Sequence, residues 1–290
     1  MNQSVEQVLA YCPDEIGRAV SQLKPQQLDR LEEIRLRVGQ PVCVNLAGRE
    51  WVLQDGGQPI VADLDMLKNL IGRACAFSGY AVAEQLSRGF LTVSGGHRFG
   101  VCGTVQPNGT MVQITSVNIR VARQISGFAD QVMSFLWANP ASTLILGPPG
   151  CGKTTLLREI VRQLSDRFHQ RVSVVDERWE LAGMSEGTPQ FYVGRHTDVL
   201  SGVGKGRGIE MLLRGMNPAW IAVDEITARE DVEAMRYAGC CGVRMVATAH
   251  ADSVADLNRR PVYRALMELG LFENVITMDA QKQTRAERIG

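Results

Sequence analysis

Glycine, lysine and threonine residues between positions 147 and 155 have the spacing of a phosphate-binding loop. The segment reads GPPGCGKTT, which fits G-x-x-x-x-G-K-T. Glycines let successive backbone N–H groups converge on phosphate oxygens. The lysine supplies a positive charge for the β- and γ-phosphates, and the threonine hydroxyl is a ligand for Mg²⁺. The predicted nucleotide-binding residues are Gly147, Pro148, Pro149, Gly150, Cys151, Gly152, Lys153, Thr154 and Thr155.

The residues around this loop match the context that the motif requires. The apolar run TLIL at 143–146 predicts a strand, and TTLLREIVRQL at 154–164 predicts a helix. The positive N-terminal end of that helix would point toward a bound anion. A plain glycine turn between a strand and a helix is the alternative, and the combined strand, loop and helix pattern favours the phosphate site.

Two acidic residues follow a second apolar run, WIAV at 220–223. Asp224 is expected to join Thr154 around Mg²⁺, and Glu225 is expected to polarise the attacking water as a general base. A strand that ends in two solvated acids is the alternative. Behind a phosphate loop, the pair is typical of a nucleoside triphosphatase.

Further candidates lie in the loops that follow other strands. Glu177 belongs to the acidic segment DERWE, which either helps to position metal and water or starts an exposed loop. Arg195 and Arg207 are candidates for an arginine finger, although a lone loop arginine is usually solvated. Thr248 and His250 follow a predicted strand, and both are candidates for sensing the γ-phosphate. The alternative for His250 is a structural role as a buried histidine.

The segment YVGRHTDVLSGVGKGRGIE at 192–210 contains five glycines. That composition predicts a mobile loop near the phosphates or at a subunit edge, with a helix beginning only at about residue 208.

Strand and helix patterns alternate from residue 126 onward. This alternation predicts an α/β domain at 126–290 with a mostly parallel sheet and helices on both of its faces. Ligands of such sheets bind where the strands end, which is where the candidate residues lie.

Residues 1–125 predict a small α+β domain. Residues 4–31 have helical periodicity that Pro25 should break, and a hairpin is expected from 42–46 and 50–53. The segment GGHRFG at 95–100 is either a ligand loop with His97 and Arg98 or a glycine-rich turn. Arg120 and Arg123 are expected on an exposed edge, solvated or near the entry to the phosphate site.

The composition limits the possible functions. Lysine plus arginine and aspartate plus glutamate number 31 each among 290 residues, so the net charge gives no strong nucleic-acid signal and no membrane signal. Seven scattered cysteines are typical of a reducing compartment. No signal peptide or membrane-length apolar run is visible, so a cytoplasmic protein is expected.

Several segments together resemble the stage III sporulation protein AA family of endospore-forming bacteria. They are EEIRLRVGQP, SGGHRFGVCGTV, SVNIRVAR, GPPGCGKTTLLRE, VVDERWELAG, VGRHTDVLSG, LLRGMNPAWIAVDEI and ATAHA. That family is similar to the type II and type IV secretion ATPases, whose arginine, acidic and histidine motifs match Arg120 with Arg123, Asp176 with Glu177, and His250. Many secretion ATPases have Gly-Glu where this chain has Asp224-Glu225.

The resemblance implies a RecA-like P-loop ATPase that uses ATP and Mg²⁺ and assembles into a homo-oligomer, with a ring suspected. It also implies membrane-embedded sporulation partners, with the protein peripheral to their complex on the mother-cell side. A nucleotide-dependent binding switch with little hydrolysis, acting on nucleic acid, is the alternative. A remodelling ATPase of the AAA+ type would need a helical lid after His250, and the 40 residues that follow argue against it.

Overall fold

The chain forms two compact units. The computed structural model describes residues 3–75, 79–107 and 111–289. The first unit is Met1–Arg123 with Gly183–Gln190, and the second is Gln124–Ala182 with Phe191–Gly290. Within the first unit, the side-chain oxygen of Gln190 accepts the backbone N–H of Gly95 at 2.9 Å. The division expected from sequence, 1–125 and 126–290, did not include this returning segment.

An antiparallel sheet organises the first unit. Its helices and strands are α1 (Gln3–Leu9), α2 (Asp14–Ser21), α3 (Pro25–Leu28), β1 (Leu31–Arg37), β2 (Cys43–Leu46), β3 (Arg49–Val52), β4 (Gln54–Asp55), β5 (Gln58–Pro59), α4 (Leu64–Cys75), α5 (Gly79–Ser87), β6 (Phe90–Thr92), β7 (Arg98–Val105) and β8 (Met111–Arg120). Six strands pair in the order β3-β2-β1-β8-β7-β6. Ile34 on β1 lies opposite Ile119 on β8, and both are fully buried, as alternation along a half-buried strand requires.

The N-terminal helical stretch is shorter and more divided than its periodicity suggested. Proline accounts for both breaks, since Pro13 precedes α2 and Pro25 begins α3. The prediction that Pro25 breaks the helical stretch is confirmed, since α2 ends at Ser21 and Pro25 begins the separate helix α3, where its missing N–H is not needed. The predicted β2–β3 hairpin is confirmed.

The second unit is an α/β domain with a mostly parallel sheet. Its elements are α6 (Asp130–Ala138), β9 (Thr143–Leu146), α7 (Lys153–Asp166), β10 (Val172–Asp176), β11 (Thr197–Ser201), α8 (Lys205–Gly215), β12 (Trp220–Val223), α9 (Arg229–Cys240), β13 (Arg244–Ala249), α10 (Val254–Leu257), α11 (Pro261–Glu268), β14 (Asn274–Met278) and β15 (Thr284–Arg288). The strand order is β11-β10-β12-β13-β9-β14-β15, and only the β14–β15 pair is antiparallel.

Both faces of this sheet are buried. Leu144, Val223 and Ala247 lie in one apolar cluster with residues of α8, α9 and α11. Neighbouring strand residues such as Ile145 and Val174 point to the other face and are equally buried. Burial on both faces explains why these strands are continuously apolar rather than alternating.

The glycine-rich segment at 192–210 is a strand and the start of a helix, so the prediction of a mobile loop was wrong. It contains β11, and α8 begins at Lys205 rather than near residue 208. A Cβ on Gly208 would lie 2.6 Å from Cγ1 of Val175. Glycine is therefore needed for α8 to pack closely on β10, which composition alone does not distinguish from glycine in a loop.

Candidate active site

The predicted phosphate loop joins β9 to α7. Gly152 has φ +111°, a conformation that residues with a Cβ rarely adopt. A Cβ on Gly147 would lie 2.5 Å from the carbonyl oxygen of Met278 at the end of β14. The remaining loop residues lie between these glycines, and Lys153, Thr154 and Thr155 form the first turn of α7. The loop thus delivers the N-terminus of α7 to the carboxyl edge of the sheet, the edge at which the parallel strands end.

The side chain of Lys153 is held by three acceptors. Its Nζ donates to the carbonyl oxygens of Gly147 and Pro148, each at 2.8 Å, and to Nδ1 of His250 at 3.1 Å. Burial lowers the pKa of this ammonium group, and the carboxylates of Asp224 and Glu225 oppose that shift. The lysine therefore lies at the turn of the loop, within reach of the residues that follow β12 and β13.

Each carboxylate oxygen of Asp224 accepts a hydrogen bond from a threonine hydroxyl group. Thr154 donates to Oδ2 at 2.6 Å, and Thr248 donates to Oδ1. The three residues come from α7, from the end of β12 and from β13. The hydroxyl and the acid predicted to share a metal ion are thus adjacent.

Glu225 leaves β12 in a left-handed conformation. Its φ is +53°, which costs a residue other than glycine roughly 1 kcal/mol or more. Two hydrogen bonds to Thr248 hold this turn. The N–H of Glu225 donates to Oγ1 of Thr248 at 2.8 Å, and the N–H of Ile226 donates to the carbonyl oxygen of Thr248 at 3.0 Å. The turn directs the carboxylate away from the path of the strand.

Both carboxylate oxygens of Glu225 have partners. Nε2 of His250 lies 3.1 Å from Oε1, and Arg178 forms an ion pair with Oε2. Because the ammonium of Lys153 can only donate, Nδ1 of His250 is an acceptor and Nε2 carries the hydrogen that is donated to Glu225. A neutral imidazole therefore connects Lys153 with Glu225.

The acidic segment after β10 divides into a structural part and a part that faces this edge. Asp176 accepts the backbone N–H groups of Glu180, Leu181 and Ala182 at 2.9–3.0 Å. Arg158 of α7 donates to the carbonyl oxygens of Glu180 and Leu181, each at 2.6 Å. Burial lowers the pKa of Arg158 to about 10. Asp176 and Arg158 thus fix the loop from both sides.

Glu177 pairs with Lys205, the first residue of α8. The lysine side chain is 3% exposed and the glutamate side chain is 33% exposed. Both line a small cavity, of about 10 Å³, with Arg178, Asp224 and Glu225. Glu177 thus lies at the same edge as the two acids of β12.

The two arginine-finger candidates lie at different places. Arg195 precedes β11 at the opposite edge of the sheet, and its N–H donates to Asp166 at 2.8 Å. Asp166 ends α7, which places Arg195 about 20 Å from Lys153 at 1.5 Å per helical residue. A role for Arg195 at the site of its own chain is therefore excluded by distance. Arg207 is exposed in the first turn of α8.

The candidates in the first unit have structural contacts. His97 is fully buried, and its Nδ1 accepts the N–H of Ala122 at 3.0 Å, so it does not reach out from a ligand loop. Burial lowers its pKa to about 4. Arg123 donates to the carbonyl oxygens of residues 28, 29 and 31 rather than lying free on an edge. Arg120 is 63% exposed and pairs with Glu33 at 3.4 Å.

The contacts of three cations in the second unit were not predicted from the sequence: those of Arg158, Arg178 and Lys205. Each was visible only as a charged residue in a helix or a loop. Their partners lie 22–47 positions away in the chain, so spacing carries no signal for these pairs.

No cluster of three histidine, cysteine, aspartate or glutamate residues with metal-ligand geometry occurs in 3–75, 79–107 or 111–289. Within the same ranges, no helix combines the length and the apolar character that crossing a bilayer requires.

Comparisons with known proteins identify a matching family model and related proteins. The family model described as "Sporulation stage III, protein AA" matches residues 2–288. Stage III sporulation protein AA of Bacillus subtilis (strain 168) is 34% identical over 287 residues, covering 96% of this chain and 92% of that protein. Protein SEEDLING PLASTID DEVELOPMENT 1 of Arabidopsis thaliana is 25% identical over 276 residues, covering 91% of this chain and 36% of that protein.

Solved structures with a similar fold include an ATPase and a pilus retraction motor. The Legionella pneumophila ATPase DotB has a TM-score of 0.60 at 16% identity, covering 96% of this chain and 80% of that chain. The pilus retraction motor PilT, solved with bound ADP, has a TM-score of 0.61 at 18% identity, covering 88% of this chain and 78% of that chain. These similarities establish a RecA-like α/β fold, preceded by a unit with an antiparallel sheet.

Proposed function

Because this chain belongs to the sporulation stage III protein AA family, we propose that it binds ATP with Mg²⁺ and hydrolyses ATP as an assembly or secretion-type ATPase in endospore formation. One observation carries the proposal. Thr154, at the start of the helix behind the phosphate loop, lies 2.6 Å from Asp224, and Glu225 follows directly in the chain. Hydroxyl, metal-shell acid and general base are therefore adjacent where the triphosphate would lie.

The loop and the N-terminus of α7 bind the phosphates in this proposal. Backbone N–H groups of residues 147–154 donate to phosphate oxygens, and the helix dipole favours the negative charge. Lys153 exchanges the carbonyl oxygens of Gly147 and Pro148 for β- and γ-phosphate oxygens. A charge-assisted hydrogen bond to phosphate is stronger than one to a neutral carbonyl, which favours the exchange.

The residues present fit Mg²⁺. The Thr154 hydroxyl and the Asp224 carboxylate are hard oxygen ligands, and Mg²⁺ in such sites takes its other ligands from water and phosphate. When bound, the ion would neutralise charge on the phosphate oxygens.

Glu225 is the proposed general base. It accepts a proton from water while the water oxygen bonds to the γ-phosphorus, and the bond from that phosphorus to the bridging oxygen breaks to release ADP. One carboxylate oxygen must be free for this step. Arg178 is the exchangeable partner, since its side chain is 50% exposed and exposed ion pairs are weak. His250 then keeps the other oxygen oriented.

Several further roles are proposals from the family. We infer a homo-oligomer, in ring form, on the mother-cell side of a membrane complex with membrane-embedded sporulation partners. The pilus retraction motor PilT and the DotB ATPases have similar folds, which supports a mechanical use of ATP. Arg195, too distant within its own chain, is proposed to act on a neighbouring subunit. Glu177 is proposed to help position water.

Steady-state phosphate release by the purified protein tests this function. Wild type should release phosphate from Mg–ATP, Lys153→Ala should not, and Glu225→Gln should bind ATP while its turnover falls about 10²-fold or more. Glu230→Gln, an exposed acid on α9, is the matched control and should behave as wild type. Turnover of Glu225→Gln at the wild-type rate would refute the assignment of the base.

A nucleotide-dependent binding switch is the second candidate. It is favoured by the two partners of Glu225, which leave neither carboxylate oxygen free in this arrangement. A switch would bind ATP without releasing phosphate, with or without added DNA. Specific activity that rises with protein concentration would instead favour a site completed by a second subunit.

A further inference from the structure

The antiparallel sheet of the first unit has two different faces. Ile34, Leu36 and Val117 point to one face and share an apolar cluster with residues of α1, α2 and α4. Residues that alternate with them along the strands point to the opposite, outer face, because successive side chains of a strand lie on opposite sides. This outer face is polar, and the proposed function leaves it without a role.

Strand pairing arranges the outer side chains in three rows across β1, β8 and β7. The rows, each written in that strand order, are Glu33, Arg120 and Arg98, then Arg35, Asn118 and Gly100, then Arg37, Ser116 and Cys102. Four arginines and one glutamate are the charged residues of these rows, so the rows carry a formal charge of +3. Such a surface attracts an anionic partner.

The second and third rows line a cavity of about 360 Å³. Arg35, Arg37, Ser116 and Asn118 supply its polar side chains, and none of the described aspartates or glutamates is among its lining residues. All of the lining belongs to the first unit. The volume lies within the range of small-molecule sites, about 300–1,000 Å³.

Two polar atoms of the cavity lining are buried without a hydrogen-bond partner among the described residues. They are Nε of Arg35 and Oδ1 of Asn118. Nη2 of Arg35 donates to Glu33 at 2.9 Å, whereas Arg37 forms no ion pair with any described residue. Buried polar groups in folded proteins nearly always have a partner. A ligand that accepts from the two guanidinium groups and donates to Asn118 would therefore match this cavity.

Gly100 keeps the middle of the cavity open. It lies within β7, and its φ is outside the left-handed region, so the backbone there accepts any residue. A Cβ would meet only ordinary contacts, the nearest at 3.7 Å from the carbonyl oxygen of Asn118. Glycine inside a strand is less stabilising than alanine, and it often marks the close approach of a ligand or of another backbone. The space above Gly100 is thus the feature that accounts for this glycine.

The chemistry of these groups suits an acidic peptide. Arg35 and Arg37 are two residues apart on β1, so their Cα atoms lie about 7 Å apart at roughly 3.4 Å per strand residue. Alternate side chains of an extended peptide have the same spacing. Guanidinium groups match carboxylates in charge and in geometry. A peptide N–H also supplies a donor for Asn118, which a phosphate chain does not.

We propose that this cavity binds an acidic peptide segment of a partner protein in an extended conformation. Two carboxylates from alternate residues of the segment pair with Arg35 and Arg37, and a backbone N–H between them donates to Asn118. The inference is independent of the proposed function, since it uses no residue of the candidate active site. It gives the first unit a role in recruiting a partner.

Fluorescence anisotropy of two labelled, capped hexapeptides with the full-length protein tests the site. One peptide alternates glutamate with threonine, and the other has glutamine in place of each glutamate, so the two differ only in charge. Wild type should bind the glutamate peptide at least about tenfold more tightly. Arg37→Gln should weaken binding of the glutamate peptide about tenfold, the usual size of a lost hydrogen bond to a charged group, and leave binding of the glutamine peptide unchanged.

Two further variants control the experiment. Gly100→Val places a side chain in the middle of the cavity and should weaken binding of the glutamate peptide as Arg37→Gln does. Its Tm should equal or exceed that of wild type, because β-branched residues favour strands, so a loss of binding would not reflect unfolding. Arg49→Gln removes an exposed arginine of β3 outside the cavity and should bind both peptides as wild type does.

The proposal would be overturned by equal wild-type affinities for the two peptides, by no binding of either, or by equal losses in Arg37→Gln and Arg49→Gln. Competition tests the kind of occupant. Displacement of the glutamate peptide by inorganic phosphate as readily as by unlabelled peptide would show a general anion site. Tighter competition by single-stranded DNA of equal charge would show a nucleic-acid site. Either result would overturn the peptide assignment, and neither bears on phosphate release from ATP.

Discussion

Nζ of Lys153 donates a hydrogen bond to Nδ1 of His250 at 3.1 Å. The opposite ring nitrogen, Nε2, lies 3.1 Å from Glu225. One imidazole ring therefore spans the distance from the phosphate loop to the acid after β12. In the proposed function, movement of Lys153 toward a phosphate would change its hydrogen bond to His250, and His250 in turn orients Glu225.

Replacing His250 by alanine should lower kcat about 10²-fold with little change in the KM for ATP, because the orientation of Glu225 is lost while the phosphate contacts remain. Steady-state kinetics measure both constants. His196→Ala removes an exposed histidine at the opposite edge of the sheet and should have wild-type kinetics. A rise in KM at constant kcat in His250→Ala would show that the histidine only binds nucleotide.

Glu177→Gln should destabilise the protein by roughly 2–3 kcal/mol, because it leaves the buried ammonium of Lys205 without its partner. The double variant Glu177→Gln with Lys205→Met should regain most of this loss, since it removes both charges. Chemical denaturation measures the free energies of unfolding. Glu233→Gln breaks an exposed ion pair with Arg236 and should change stability by less than about 1 kcal/mol. Without recovery in the double variant, the pair would have no special role in stability.

Gly208→Ala should destabilise the protein by about 1–3 kcal/mol, because the new Cβ would lie 2.6 Å from Val175 and force α8 away from β10. Gly215→Ala, at the last residue of the same helix, meets no atom within 4 Å and should be neutral or slightly stabilising. Thermal and urea unfolding of the two variants test the packing argument. Equal effects would mean that helix propensity, not close approach, explains these glycines.

Stability should fall in mild acid because of His97. Its folded pKa, about 4, is below the ordinary value of 6.5, so the unfolded chain binds the proton first as the pH falls. The stabilisation is fully present above pH 6.5 and is lost as the pH falls toward 4, and the loss amounts to about 2 kcal/mol at pH 5. His97→Gln, which retains an acceptor for Ala122, should remove this part of the pH dependence. His169→Gln, at an exposed histidine, should retain it.

The sequence was sufficient to predict the alternating α/β architecture and the phosphate loop. It also predicted that Asp224, Glu225, Thr248 and His250 lie at strand ends. All of these follow from local patterns: apolar runs give the strands, and parallel strands must end at one edge. The chemical roles of those residues remain predictions. Strand β15 was not predicted because its polar sequence has no strong hydrophobic period. It is an edge strand that pairs with β14 alone.

Other features were decided by the tertiary structure. Lys205 and Glu177 are 28 residues apart, and Arg178 and Glu225 are 47 apart, so their pairing depends on which strands are neighbours. The position of Arg195 likewise depends on β11 running parallel to β10, which places its N-terminal end away from Lys153. Local sequence determines which residues end a strand or start a helix, because backbone preferences and apolar spacing act over a few residues. Ion pairs, buried charges and cavities depend on packing between distant segments, which only the folded chain defines.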